Sequence, residues 1–242
     1  AGKISAMLRL CKSDPKIATT PDRFDRNHYL LNLANGTLNL KSMEFYEHKR
    51  EDYITALSKT AYKPEAKCEL WLTFLNRIFD NNQSLIDYIQ EIIGYSLTGD
   101  ISEKCIFMFQ GESGDNGKTV FIETIRSMLG SDYGKTTDFT TFLEQKSEKV
   151  RNDLAALHNA RFVSASEPEQ HRPLNEPLIK IATGGDLIEA RFLYEEFFEF
   201  YPVINAGLFN SLSPHVLLCI LLCCKNEMPK NSLEILICDS VM

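Results

Sequence analysis

The stretch CIFMFQGESGDNGKTVFIETIRSMLG, Cys105–Gly130, decides the fold. Cys105-Ile106-Phe107-Met108-Phe109 is a continuous apolar run, the pattern of a strand buried on both faces. Val120, Phe121, Ile122, Ile125, Met128 and Leu129 recur at helical spacing, and Gly130 ends that helix. The glycine-rich loop between them reads Gly111-Glu112-Ser113-Gly114-Asp115-Asn116-Gly117-Lys118-Thr119. Strand, glycine loop and helix are the context a phosphate-binding loop requires. Glycines let backbone N–H groups turn toward phosphate oxygens, and the helix N-terminus adds partial positive charge. Lys118 is then expected at the β- and γ-phosphates, and the Thr119 hydroxyl on Mg²⁺. The loop departs from the regular spacing. Its first glycine belongs at 112, where Glu112 stands, with Gly111 one residue earlier and Gly114 two later. The bland alternative is a glycine turn before a helix with a surface lysine.

Hydrolysis also needs an acid at a strand end to hold the metal and orient water. Arg161–Ser166 (RFVSAS) reads as a second strand, and Glu167-Pro168-Glu169 follows it. Pro168 cannot continue a ladder, so the chain turns there. Glu167 lies at the carboxyl end of that strand, where open α/β sheets bind ligands. Either glutamate can hold metal while the other orients water; the alternative is two solvated loop carboxylates. Val203–Phe209 is a third apolar stretch.

The N-terminal third carries no evident chemistry. Ser13-Asp14-Pro15 to Pro21-Asp22 reads as a peripheral connection after short helical signals. Asn35-Gly36 between Tyr29–Leu33 and Thr37–Leu40 predicts a hairpin. Leu70, Trp71, Phe74, Leu75, Ile78 and Phe79 predict one amphipathic helix over Glu69–Phe79, and Leu85, Ile86, Ile89, Ile92 and Ile93 a second, near whose end Gly94 lies. Asp80-Asn81-Asn82 separates them. The expectation is an α/β protein: a small, mostly helical domain with a hairpin (1–98), a P-loop NTPase domain with a mainly parallel sheet (99–210), and a divergent tail (211–242).

The composition is that of an ordinary globular protein, with 44% hydrophobic and 24% charged residues across 242. A net charge of −7 requires any nucleic-acid contact to be local. Seven cysteines, an odd number without paired metal spacing, suggest a reducing, cytoplasmic setting; Cys11, Cys68 and Cys105 are solitary, and Cys219, Cys223, Cys224 and Cys238 read as buried apolar thiols, with zinc as the alternative. Val216–Cys224 is nine residues long, too short for a bilayer, which needs about 20.

Several ordered stretches resemble the superfamily-three helicase module of phage, plasmid and large-DNA-virus helicase–primases, the poxvirus-type NTPases. They are Leu30–Leu38, Asp52–Thr55, Gly94–Asp100, Asn116–Thr119, Ala165–Glu169, Leu174–Glu176, Lys180, Thr183–Asp186 and Ala190–Tyr194. The resemblance implies an ATP- and Mg-dependent, DNA-stimulated ATPase that assembles into a ring, usually a hexamer, on single-stranded DNA. It gives Lys118 and Thr119 the Walker A roles, and Glu167, or Glu169, the Walker B role. It also implies a hairpin facing the DNA channel after Lys180–Arg191, with Lys180 and Arg191 as candidate DNA contacts; ordinary surface cations are the alternative. No membrane role and no primase activity are expected. After Pro202 the pattern decays. Asn210 lies within one residue of the family's sensor position, and no arginine follows Arg191 to act as a finger. A truncated product with a frame change near residue 203 is one expectation and a divergent cap the other. The competing functions are a small P-loop kinase, disfavoured by the arginine-free tail, and a non-catalytic nucleotide- or partner-binding fragment.

Overall fold

The computed structural model describes residues 2–20, 23–110, 116–145, 151–166, 173–194 and 196–210, with the backbone alone at 110, 166 and 205–210. Helix α1 (Gly2–Ser13) precedes an antiparallel sheet of β1 (Leu30–Leu33), β2 (Gly36–Asn39) and β3 (Glu44–Tyr46). The expected hairpin forms, with its turn one residue earlier than Asn-Gly suggests. Leu33 pairs with Gly36, so Ala34-Asn35 makes the turn, without positive φ at either residue. Gly36 serves a different end: a Cβ there would lie 2.5 Å from the Tyr46 carbonyl oxygen and 2.6 Å from the Phe45 ring on β3.

Helices α2 (Glu69–Ile78) and α3 (Gln83–Leu97) follow the predicted apolar spacing. The break between them is built by its asparagines. Asp80 and Asn81 take positive φ, which these short polar side chains tolerate, and the Asn82 side chain accepts the Leu85 N–H at 3.2 Å to start α3. Helix α3 runs three residues past Gly94.

The remainder alternates strand and helix. β4 (Ile106–Gln110) leads to α4 (Lys118–Tyr133) and β5 (Gly134–Asp138). Then come α5 (Asn152–Ala155), β6 (Phe162–Ser166) and α6 (Glu176–Gly184). A two-stranded hairpin, β7 (Ile188–Ala190) with β8 (Phe198–Phe200), precedes β9 (Asn205–Asn210). β4, β9, β6 and β5 form one sheet in that order, every pairing parallel. The protein is thus a mixed α/β fold. Within α4, Gly130 takes φ 73° and ψ 175°, ending the regular helix where the sequence places its stop.

Both faces of the parallel sheet are covered, and successive side chains alternate between them. Phe107 and Phe162 face a core shared with α2, α3, α4 and the β1–β2 hairpin, including Leu38, Trp71, Ile89, Ile93, Ile125 and Leu129. Val163 and Ala165 face a second core with Phe142, Leu154, Leu178, Ile188 and Phe200. The first core crosses residue 98 without a break.

One buried cation bolts these parts together. Arg161, 6% exposed, donates to the Leu97 carbonyl at 2.9 Å and the Leu30 carbonyl at 2.7 Å. Its guanidinium lies 4.6 Å from the Tyr133 ring centroid, and its backbone N–H donates to the Tyr133 carbonyl at 2.8 Å. The Tyr133 hydroxyl accepts the Asn32 N–H and donates to the Ala56 carbonyl. Nearby, the Tyr29 hydroxyl donates to Asp100 at 2.7 Å and the Gly99 N–H to the His28 carbonyl at 3.0 Å, so the first hairpin is tied to the segment entering β4. Replacing Arg161 with alanine strands two buried carbonyls and is expected to cost about 3 kcal/mol, read as a lower urea midpoint at unchanged slope. Arg161→Lys does not restore stability, because an ammonium lacks the fork that spans both acceptors.

Candidate functional site

The carboxyl ends of the four parallel strands share one edge. Gln110 pairs with Asn210, Ser166 with Phe209, and Asp138 with Ser166, so the strands end within a residue of one another. Two strand spacings, about 10 Å, separate the ends of β4 and β6, with β9 between them. Three of the four strand ends meet a stretch that the sequence marks for chemistry: the glycine-rich segment follows β4, Glu167-Pro168-Glu169 follows β6, and Asn210 ends β9.

Gly111, Gly114, Glu167 and Glu169 lie outside the described residues, as does the Asn210 side chain. Asn116, Gly117, Lys118 and Thr119 are brought together at the start of α4. Gly117 is the N-cap, with φ +84° and no side chain to accept a helix N–H, and α4 has no acidic residue in its first turn. The Gly117 carbonyl accepts the Phe121 N–H at 2.9 Å, which starts the helical ladder. The N–H groups of the first turn have no acceptor within the helix, the usual state of a helix N-terminus. The Lys118 ammonium donates to Asn116 Oδ1 at 2.8 Å, and burial lowers its pKa from the ordinary lysine value. The Thr119 side chain is exposed beside it. An uncapped helix N-terminus, a cation and a hydroxyl make a concentrated anion-binding arrangement. A metal would take the Thr119 hydroxyl together with carboxylates from the acidic turn. Among the described residues no group of three or more His, Cys, Asp or Glu could hold a metal.

The two candidate DNA contacts lie on different elements. Lys180 is on α6, 77% exposed, in a loose 3.7 Å pair with Glu176. Such a pair is worth well under about 1 kcal/mol, so the lysine is available to another anion. Arg191 follows β7, and its guanidinium sits 4.5 Å from the centroid of the Phe197 ring. The hairpin formed by β7 and β8 starts before Arg191 and holds that residue in its connecting segment. Its connecting segment exposes Phe192, Tyr194 and Phe197, with Tyr194 96% exposed and Tyr201 just beyond β8 68% exposed. Sequence reasoning passed over these aromatics; their signal was a run of rings interleaved with charges.

A groove of about 530 Å³ along the outer edge of β5 contains none of the expected site residues. Its cations are already engaged: Arg126 pairs with Glu123, and the Lys135 ammonium donates to the carbonyls of Ala156 and His158. Of the cysteines, Cys11, Cys68 and Cys105 are free, the last two buried; the tail cysteines, for which buried thiols were expected, lie outside the described residues. Among the described residues no helix is long and apolar enough to cross a membrane.

A parallel α/β sheet with a glycine-led helix N-terminus at its carboxyl edge belongs to the class of open α/β folds that take ligands there. Residues 1–80 match the family described as "D5 N terminal like". Over 184 residues, 74% of this chain, the sequence is 30% identical to a protein of Acanthamoeba polyphaga mimivirus described as a "Putative helicase". The chain spans 19% of that protein's length. An apo structure of the NrS-1 C-terminal region is similar at 12% identity and TM-score 0.47, over 64% of this chain and 35% of that one. An A form apo structure of the same region gives 13%, 0.44, 65% and 36%.

Gly117 is irreplaceable on two counts: its φ, and a Cβ position 2.7 Å from Ile78 Cγ2. Gly117→Ala is expected to lower stability by about 2 kcal/mol, measured by thermal unfolding of the chain without ligand.

Proposed function

We propose that the chain is the ATP-binding core of a superfamily-three, poxvirus-type replication helicase, with a P-loop at Gly111–Thr119. The observation that supports this reading is the shared carboxyl edge of the parallel sheet, where β4, β6 and β9 end in register, with the lysine-bearing helix start following β4 in the chain. The similarity to a mimivirus protein described as a helicase supports it. In this reading the backbone of Gly111, Gly114, Asn116 and Gly117 cradles phosphate. The Lys118 ammonium leaves Asn116 for the terminal phosphates, and Thr119 with Glu167 holds Mg²⁺. Bound magnesium would neutralise charge on the transferring group, while Glu169 or Glu167 orients water and Asn210 serves as sensor.

Residues 192–242 contain no arginine, so a finger for the transferring phosphoryl group has to come from outside them. Such a finger is worth roughly 10³–10⁵ in rate. ATP binding with slow turnover is therefore the expected behaviour of this chain. Calorimetric titration with Mg-ATP should give binding that Lys118→Ala abolishes and that EDTA weakens, and Glu167→Gln should bind normally while hydrolysing less. An unchanged affinity in Lys118→Ala refutes the site. Binding with no hydrolysis, with or without single-stranded DNA, selects the non-catalytic fragment instead.

For DNA, the hairpin offers rings more than charge, since Glu189, Glu196 and Glu199 accompany Arg191. Stacking of bases on Tyr194 and Phe192, supplemented by Lys180 and Arg191, fits an acidic protein better than phosphate tracking does. Tyr194→Ala should weaken oligo-dT binding about tenfold. Lys180→Ala and Arg191→Ala should each reduce the salt slope by about one ion. Fluorescence anisotropy at several salt concentrations reads both.

A further inference from the structure

We infer that α2 is the back wall of the candidate nucleotide site, with Phe74 and Ile78 as positioning residues that set nucleotide affinity through Gly117. This rests on the nucleotide reading above and goes beyond it, because it gives the N-terminal region a part in ligand binding. Gly117 is pressed against α2. A Cβ on it would lie 2.7 Å from Ile78 Cγ2 and 3.3 and 3.4 Å from two atoms of the Phe74 ring. One turn later, Phe121 closes the same contact from the other end. Trp71 stacks on Phe121 with centroids 5.6 Å apart and planes at 18°, and Trp71 also packs on Phe74 at 5.5 Å. Phe79 meets Phe121 edge-on at 6.4 Å.

The first turn of α4, which carries Lys118 and Thr119, is therefore held at both ends by one helix. Its other side is open, with Val120 57% exposed and Thr119 exposed. A ligand pressing on that open side meets a turn that cannot retreat without displacing the ring stack. Rigid support of this kind raises affinity by removing the cost of ordering the loop. Phe74, Ile78 and Trp71 all fall within the N-terminal 80 residues that match the D5-type family.

Trp71 is the one tryptophan of the sequence and is 2% exposed, so its emission reports on this wall alone. The test titrates the full chain with a non-hydrolysable Mg-ATP analogue, following Trp71 emission and, separately, binding heat. Wild type should bind with a change in Trp71 emission. Ile78→Ala should bind about tenfold more weakly, and Phe74→Leu should retain most of the affinity that Phe74→Ala loses. Leu154→Ala, a change in the second core, which holds none of the wall residues, controls for stability and should keep wild-type affinity. Binding heat with silent Trp71 emission and an Ile78→Ala affinity within twofold of wild type overturns the back-wall inference and leaves the nucleotide site standing. No binding heat in wild type overturns the nucleotide reading itself, and this inference with it.

Discussion

The guanidinium of Arg161 is a full charge placed where water does not reach, and the rest of the structure is arranged around satisfying it. Burial lowers its pKa from the ordinary arginine value, but an arginine this basic stays protonated. Desolvation of such a group costs several kcal/mol, and among the described residues no carboxylate accepts its side-chain hydrogen bonds. Compensation comes from two backbone carbonyls that their own elements leave open and from the face of Tyr133. Leu30 begins β1, Leu97 ends α3, and Tyr133 ends α4, so one side chain fixes the mutual placement of three element ends. Arg161 immediately precedes β6. By anchoring the amino end of that strand, it also fixes where the carboxyl end emerges.

The parallel sheet then divides labour by parity. Along β6, Phe162 joins the core shared with the N-terminal elements, whereas Val163 and Ala165 join the core under α6 and the β7–β8 hairpin. A shift of one residue in β6 would exchange these sets and put Val163 against α4. Register is therefore held by two different cores at once. The Thr136 and Ser164 hydroxyls, 3.1 Å apart, add a polar tie to the edge strand β5.

What could be read in the sequence is what burial writes strongly. β4 is apolar at successive positions, yet it is a sheet edge with Phe107 buried and Met108 exposed, so the expected burial on both faces holds only in part; α2 and α3 carry clean amphipathic spacing because each has one buried face. The glycine loop was visible because only glycine meets the backbone demand at 117. β5 escaped notice because it is an edge strand, Gly-Lys-Thr-Thr-Asp, with its outer half in solvent; edge strands carry polar residues that read as loop. The Asn35-Gly36 turn was displaced by one residue because Gly36 answers to the β3 backbone beside it, a contact between elements that local turn preferences do not contain. Arg161 was read only as the first residue of a strand. Its acceptors, Leu30 and Leu97, are 131 and 64 residues away, and no spacing rule connects them.

The continuity of the first core bears on how an N-terminal segment of this kind relates to a nucleotide site. Ile125, Met128 and Leu129 of α4 are each at most 2% exposed, and they belong to one core with Leu31, Leu38, Trp71, Leu75 and Ile89. The Ser58 and Thr60 hydroxyls, from the irregular segment before α2, both donate to the Met128 carbonyl, at 2.6 and 2.8 Å. That carbonyl lies just before the Gly130 break, where the helix leaves acceptors without intrahelical donors. The N-terminal region thus supplies the apolar back of α4, caps its far end, and presses on Gly117 at its near end. A helix meant to present a lysine to phosphate gains from being held at both ends, because its dipole and N–H groups act only where the turn points. The direction in which the first turn of α4 points is accordingly set by α2 and the first hairpin as much as by Gly117 itself.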